Sequence, residues 1–380
     1  MMKVFWYCEK WQPGGIQRVQ ANLLPYFDPK EIQFDLAFSE DDTALFDESI
    51  RAAGARKLVT LNKRYSSPGK RTLANFFAVR CILREGHYDA VHFNACHGVE
   101  LMYLLWAWVY RVPVRIVHAR NNGIGAGGKS RPVKVLAHKV CKHLFGWMAN
   151  GRLANSDLSA RWLFSASDVR KGRVRVLKNG IDAKAFAFDP AGRKETRTAL
   201  HLENAFVVGH VGHFNYQKNH GFLLEIFSEI TKRRPDARLL LVGEGAGEAA
   251  AREQAEHLGI KDRVIFYGAA ERVAPLFWAM DAFVFPSRFE GCGNALLEAQ
   301  AAGLPCFASQ GVMPEAVAVT PLLHWIFLSE SPAAWAERVL SQADETLRPA
   351  HAEEIIRAGF DLKAMADSLR AIYLREEQSP

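Results

Sequence analysis

Long apolar runs are missing from this chain of 380 residues. Residues 101–110 (LMYLLWAWVY) give ten apolar side chains in a row before Arg111 and Pro113 close the run. A helix needs roughly 20 to cross a bilayer, so a spanning segment is excluded and a buried or interface-dipping helix is expected. Cysteine is scarce as well. Cys8, Cys81, Cys96, Cys141, Cys292 and Cys306 form no C-x-x-C and no paired spacing. That excludes a disulfide frame or a zinc site and suits a reducing cytosol. The N-terminal MMKVFWYC reads as a strand, without the basic stretch, longer apolar segment and cleavage site of a signal peptide. Low-complexity blocks are absent, and 49% hydrophobic with 23% charged residues describes a soluble folded protein.

Acidic residues are missing from one long stretch. None lies between Glu100 and Asp157, a segment that carries Arg111, Arg115, Arg120, Lys129, Arg131, Lys134, Lys139 and Lys142. Residues 1–180 hold 28 Lys and Arg against 14 Asp and Glu, and residues 181–380 hold 20 against 27, so the halves carry +14 and −7. No nucleic-acid motif accompanies the basic half, and no nucleic acid is expected as a partner. An anionic membrane surface, or an acceptor carrying phosphate, fits better.

The length exceeds one ordinary core and predicts two domains. Short β-rich runs alternate with longer amphipathic segments from residue 3 to residue 182, pause over the polar residues 189–203, and restart at residue 206. Strands separated by helix-length segments predict α/β architecture, with parallel sheets covered on both faces. The expected boundaries are a first domain over 1–185, a linker over 186–203, a second domain over 204–360, and a closing helix within 361–380. Ligands of such sheets bind beyond the carboxyl ends of the strands.

The most informative run is 285–309, FPSRFEGCGNALLEAQAAGLPCFAS. A buried strand leads into a loop where Glu290 meets Gly291, Gly293 and Asn294, and a helix follows with Glu298 just inside it. The glycines let the backbone approach a ligand closely, and Asn294 is read as the N-cap. Unpaired N–H groups and the positive dipole end at a helix start seat a diphosphate. Two carboxylates flanking that seat suit sugar hydroxyls. Singly, a glutamate in the first turns of a helix usually only complements the dipole, and a Gly-rich turn is common in α/β proteins. Together they ask for a nucleotide-sugar. The whole run resembles the Glu-x7-Glu signature of the retaining glycosyltransferases of family 4. The resemblance implies that Glu290 lies by the donor sugar, Glu298 by the nucleotide ribose, and that the amides of Gly291 to Asn294 hold phosphate and sugar. Cys292 fills a variable position of such loops and is read as a spacer in the donor site.

A second signal is 208–220, VGHVGHFNYQKNH. A strand ends in Gly212, a polar turn follows, and Lys218 stands just before a helix, where an ammonium neutralises a diphosphate leaving group without a metal. The segment is similar to the family's Gly-Arg-x5-Lys-Asn element, with His213 where most relatives have arginine. An imidazole offers one donor in place of a guanidinium fork, and its charge depends on pH. Gly14 and Gly15, after the first strand, resemble the family's Gly-Gly-x-x-x element on the donor phosphate, with Arg18 carried over to the acceptor side. His118 closes a strand; alone it reads as a structural hydrogen-bonder, but its place resembles that of the family's strand-end histidine near the transferred sugar. Glu290, Lys218 and His118 are therefore the catalytic candidates. Asn94 and His97 end an earlier strand on the acceptor side, and Glu244 is expected near the nucleobase.

The resemblance implies a GT-B fold: two Rossmann-like domains facing across a cleft, with the C-terminal helix crossing back to the first. It implies a retaining hexosyltransferase taking a UDP-linked sugar to a hydroxyl of a glycan or polyprenyl-linked acceptor, in making exopolysaccharide, capsule or lipopolysaccharide. No cofactor or metal is expected, since Glu40-Asp41-Asp42 reads as a surface turn. The expected location is the cytoplasm, including the inner face of the plasma membrane. Two rivals stand: a nucleotide-sugar epimerase of the same architecture, and a non-catalytic glycan- or membrane-binding relative.

Overall fold

The computed structural model describes residues 1–65, 67–124, 131–343 and 348–376. The chain divides into two compact units, one of Met1–Gly180 with Leu362–Pro380, the other of Ile181–Asp361.

The first unit is built on seven parallel strands: β1 (Met2–Tyr7), β2 (Ile32–Phe38), β3 (Arg56–Val59), β4 (Ala90–Ala95), β5 (Val114–Ala119), β6 (Gly151–Ala154) and β7 (Arg175–Val176). Their spatial order is β3-β2-β1-β4-β5-β6-β7. All of β4 is buried, as are Val4 to Tyr7 of β1, because helices cover both sheet faces. Successive residues of a strand feed opposite layers: Phe5, Tyr7 and Phe93 pack with Leu101, Leu104 and Val117, while Trp6 packs with Phe34, Leu36 and Ile116. The closing helix Leu362–Leu374 belongs to this unit. Its buried residues Leu362, Met365, Leu369 and Tyr373 recur at helical spacing and join the Trp6 layer.

Six parallel strands form the sheet of the second unit: β8 (Val207–Val211), β9 (Arg238–Val242), β10 (Val264–Gly268), β11 (Ala282–Phe285), β12 (Cys306–Ser309) and β13 (Leu323–Ile326). Their order is β10-β9-β8-β11-β12-β13. The same winding appears in both sheets. From β1 the chain steps outward through β2 to β3 and returns to the middle at β4; from β8 it steps outward to β10 and returns at β11. Each sheet thus has a switch point, β1/β4 in one and β8/β11 in the other. There the connections leave in opposite directions and open a crevice at the carboxyl ends of the strands.

Three expectations need correction or refinement. The polar segment expected as a linker is a helix, Pro190–Ala199, inside the second unit. Asp189 accepts from the Ala191 N–H at 2.9 Å and Pro190 occupies the first turn, which starts the helix. Arg193 and Arg197 then bind the buried Asp281 carboxylate at 2.5 and 3.2 Å, so arginines rather than aliphatics dock it. The cap of the Asn294–Ala301 helix is Gly293, not Asn294. Gly293 is left-handed at φ 89° and ψ 47°, where a Cβ is strained. The apolar run at 101–110 is a 3-10 turn, Gly98–Tyr103, continued by a helix, Leu104–Val109. It buries Leu101, Tyr103, Leu104 and Ala107 but leaves Trp108 and Val109 exposed. Among the described residues no helix is long and apolar enough to cross a membrane.

Candidate active site

In the second unit the carboxyl ends of β8, β9 and β11 carry most of the expected donor residues. Gly212 follows β8, and its N–H donates to Val242 O at 2.9 Å. A side chain here would press on Lys218: a Cβ would lie 3.1 Å from both Cδ and Cε of that residue. Glycine therefore lets Lys218 fold back over the strand end. Asn219 caps the next helix, His220–Arg233, from the left-handed region at φ 59°, a conformation asparagine tolerates. Its Nδ2 donates to Pro286 O at 3.1 Å and its Oδ1 accepts from Arg288 at 2.6 Å, while the Arg288 N–H donates to Gln217 O. The loops after β8 and β11 are thereby tied together.

This tie brings two candidates into contact. Lys218 Nζ lies 2.7 Å from Glu290 Oε1, with both side chains largely buried, and 4.3 Å from the centre of the Phe285 ring. Glu290 is anchored through its own N–H, which donates to Val312 O at 3.0 Å. Gly291, Cys292 and Gly293 are buried behind it. The Asn294–Ala301 helix then begins with no side-chain cap and no acidic residue in its first turn, and Glu298 is buried one turn in.

His213 and Glu244 come together through backbone contacts. The Phe214 N–H donates to Glu244 O at 2.8 Å, and the Gly247 N–H donates to Phe214 O at 2.9 Å. Gly243 at φ 141° permits this packing, because a Cβ there would sit 2.2 Å from Gly212 O. The Glu244 side chain is exposed. Burial pushes the His213 pKa down, with Glu244 opposing and Lys218 adding to the shift, so the imidazole is neutral near pH 7. It offers one hydrogen bond and no charge, where an arginine would offer a charged fork. Sequence reasoning missed Ser287 and Ser309, just after β11 and at the end of β12. Both hydroxyls are buried and meet no partner among the described residues. A lone serine carries no signal in a sequence.

The switch point of the first unit gathers Gly14 and Gly15 after β1, Asn94 on β4 and His118 on β5. Gly14 precedes the Gly15–Leu23 helix in extended conformation, and a Cβ on it would meet the Gln17 side-chain oxygen at 2.7 Å. Gly15 is exposed, with open space where a side chain would go. Arg18 lies in the first turn of that helix, its guanidinium 5.6 Å from the Phe46 ring centre. Asn94 is buried and donates to Tyr7 O at 3.2 Å. Its Oδ1 accepts from Arg120 Nε at 2.7 Å, and Arg120 Nη1 donates to Asn179 Oδ1 at 2.7 Å. Arg120 was missed because it stands in the basic run that reads as a surface for anionic lipid or phosphate; the fold buries it. His97 stands before the 3-10 turn, its pKa lowered mainly by burial. Its N–H donates at 3.0 Å to Glu100, which also accepts from the Cys96 N–H at 2.5 Å. Burial and the nearby Glu9 raise the Glu100 pKa to about 8, against the pull of those two amides. His118 is fully buried, its ring pKa held well below the usual range by burial, then by Arg120 and His92. Lys129 of the basic run lies outside the described residues.

Two α/β units, each collecting glycines and polar side chains at the switch point of a parallel sheet, define the GT-B class of glycosyltransferase. Comparison with known proteins agrees. The family model described as Glycosyltransferase Family 4 matches residues 13–185, and that described as Glycosyl transferases group 1 matches residues 205–344. The chain is 30% identical over 366 residues to EpsF of Bacillus subtilis (strain 168), a protein named as a glycosyltransferase, covering 95% of this chain and 93% of EpsF. It is 26% identical over 309 residues to the UDP-Gal:alpha-D-GlcNAc-diphosphoundecaprenol alpha-1,3-galactosyltransferase of Escherichia coli, covering 78% and 76%. Among solved structures, Anabaena Alr3699/HepE in complex with UDP and glucose superposes with a TM-score of 0.72 at 17% identity, covering 99% and 98%. The chain belongs to this glycosyltransferase family.

Proposed function

We propose that this glycosyltransferase moves a hexose from a UDP-linked donor to a hydroxyl of a growing or polyprenyl-linked glycan, with retention at the anomeric carbon, in surface polysaccharide synthesis. The observation that carries this reading is the buried Lys218–Glu290 pair at the β8/β11 switch point, beside the glycine-capped start of the Asn294–Ala301 helix. The names of the E. coli relative and the Anabaena neighbour support a UDP donor and a polyprenyl-linked acceptor.

The chemistry follows from charge. When the bond from the anomeric carbon to the diphosphate oxygen breaks, the electron pair stays on the diphosphate. Lys218 and the helix-start amides stabilise the charge that develops there, work that otherwise falls to a divalent ion. The acceptor oxygen enters from the face the diphosphate leaves, and its proton passes to that diphosphate, so configuration is retained. A double displacement needs a carboxylate free under the anomeric carbon. Glu290 is engaged by Lys218 and is assigned to the sugar hydroxyls instead.

Membrane attachment is part of the proposal. The Arg131–Phe145 helix buries only His138 and exposes Val133, Leu136, Val140 and Leu144, and Trp147 is exposed just beyond it. Arg131, Lys134 and Lys139 are exposed beside this stripe. Aliphatic and aromatic side chains framed by cations suit an anionic lipid surface.

A panel of UDP-hexoses, with and without polyprenyl diphosphate-sugar acceptors, tests the reaction. Acceptor-dependent UDP release, unchanged by EDTA and giving product of the donor's anomeric configuration, is expected. Glu290→Gln should lower it about 100-fold, the scale of losing one aimed electrostatic contact. Isomerised donor without acceptor would make the protein an epimerase, and no binding of any UDP-sugar would make it a non-catalytic relative.

A further inference from the structure

His118 is the last member of a buried chain of hydrogen bonds that begins on the C-terminal helix. Tyr373 Oη lies 2.6 Å from His92 Nδ1, and His92 Nε2 lies 3.2 Å from His118 Nδ1. All three side chains are fully buried. Trp6 stacks on the His92 ring at 5.2 Å, and Phe34 meets the Tyr373 ring edge-on at 5.8 Å, so the rings have little freedom to turn. Burial, reinforced by Arg120, holds both imidazoles neutral. Each neutral ring therefore carries one N–H and one lone pair.

Two polarities are open to such a chain, and counting unmatched groups separates them. If His92 Nδ1 donated to Tyr373, two groups would be left unmatched in a dry core, the phenolic O–H and the lone pair of His118 Nε2. If Tyr373 donates, His92 Nδ1 accepts, His92 Nε2–H donates to His118 Nδ1, and every group is matched up to the last. That last group is His118 Nε2, which meets no partner among the described residues. We infer that Tyr373, acting through His92, sets the tautomer of His118 so that its Nε2–H stands as a hydrogen-bond donor for a ligand oxygen, rather than as a base. Tyr373 and His92 are positioning residues. The ligand chemistry is a neutral acceptor oxygen, such as a sugar hydroxyl. That part rests on the proposed function; the tautomer does not.

NMR of the full chain with 15N-labelled imidazoles reads the tautomer directly. In the wild type, His118 should show its proton on Nε2, and Tyr373→Phe, which keeps the ring and removes the O–H, should convert His92 and His118 to a mixture of tautomers. Leu369→Ala, on the same helix face, disturbs packing without touching the relay and should leave the tautomer as it is. In turnover with a UDP-hexose, Tyr373→Phe should lower kcat/KM about tenfold, the scale of one neutral hydrogen bond. A wild-type spectrum with His118 protonated on Nδ1 overturns the inference, as does an unchanged spectrum in Tyr373→Phe. Failure of turnover in the wild type, with the expected tautomer present, would instead count against the proposed reaction.

Discussion

Lys218 and Glu290 are each visible in the sequence, but their 2.7 Å contact joins residues 72 apart. The pairing changes how each substitution must be read. Removing one partner of a buried pair leaves the other charge unpaired, which costs about 3–5 kcal/mol. Lys218→Ala should therefore lower the urea midpoint as well as weaken UDP binding, and Lys218→Ala combined with Glu290→Gln should recover stability without recovering turnover. Equal stability of Lys218→Ala and wild type would mean the ion pair is absent in solution. His92 shows the opposite kind of legibility. Inside a strand it reads as an ordinary core residue, and only its neighbours Tyr373 and His118 reveal it as a link. Asn294 reads as a cap because its side chain suits that role. The cap fell to Gly293 because the turn requires a left-handed residue one position earlier.

Among the elements, strands at the two switch points were the easiest to read, since parallel strands buried on both faces are near-continuous apolar runs. The Pro190–Ala199 helix was hidden because its anchoring residues are arginines. A hydrophobic pattern cannot see a helix docked by charge. The Arg131–Phe145 helix poses the converse problem: its apolar residues look like a core stripe, and the fold leaves them outside. Burying a leucine fully is worth about 1.5–3 kcal/mol, so even partial insertion of two should dominate the affinity for a bilayer. Leu136→Ser with Leu144→Ser should weaken sedimentation with vesicles containing anionic lipid at least about tenfold, while activity on a soluble acceptor is retained. Unchanged sedimentation, or a loss of self-association in its place, would show that another surface or a second copy covers this helix.

Across the whole molecule, buried histidines set the response to acid. His92 and His118 in the first unit are held neutral, and in the second burial pushes His210 down to about 3 and His220 to about 2. Their unfolded pKa is about 6.5, so below that value the unfolded chain binds protons the folded one refuses. Stability therefore falls as pH drops from about 6.5 toward 3. Glu100, raised to about 8, works against this over part of the range, one proton against these four and the buried His138, pushed down to about 4. The urea midpoint should be lower at pH 5 than at pH 7, and His220→Phe, which keeps an aromatic ring against Phe214, should flatten the difference. An undiminished slope in that variant removes this account. The alternation of strands and helices, the two-lobed order and the glycines at strand ends follow from the sequence by itself, because periodicity and backbone freedom are properties of neighbours along the chain. Which side chains meet was decided only by the tertiary structure: Lys218 with Glu290, Tyr373 with a histidine 281 residues away, and a helix stripe with solvent. Those meetings depend on the register and winding of sheets that close long loops, and no local pattern encodes a distance in space.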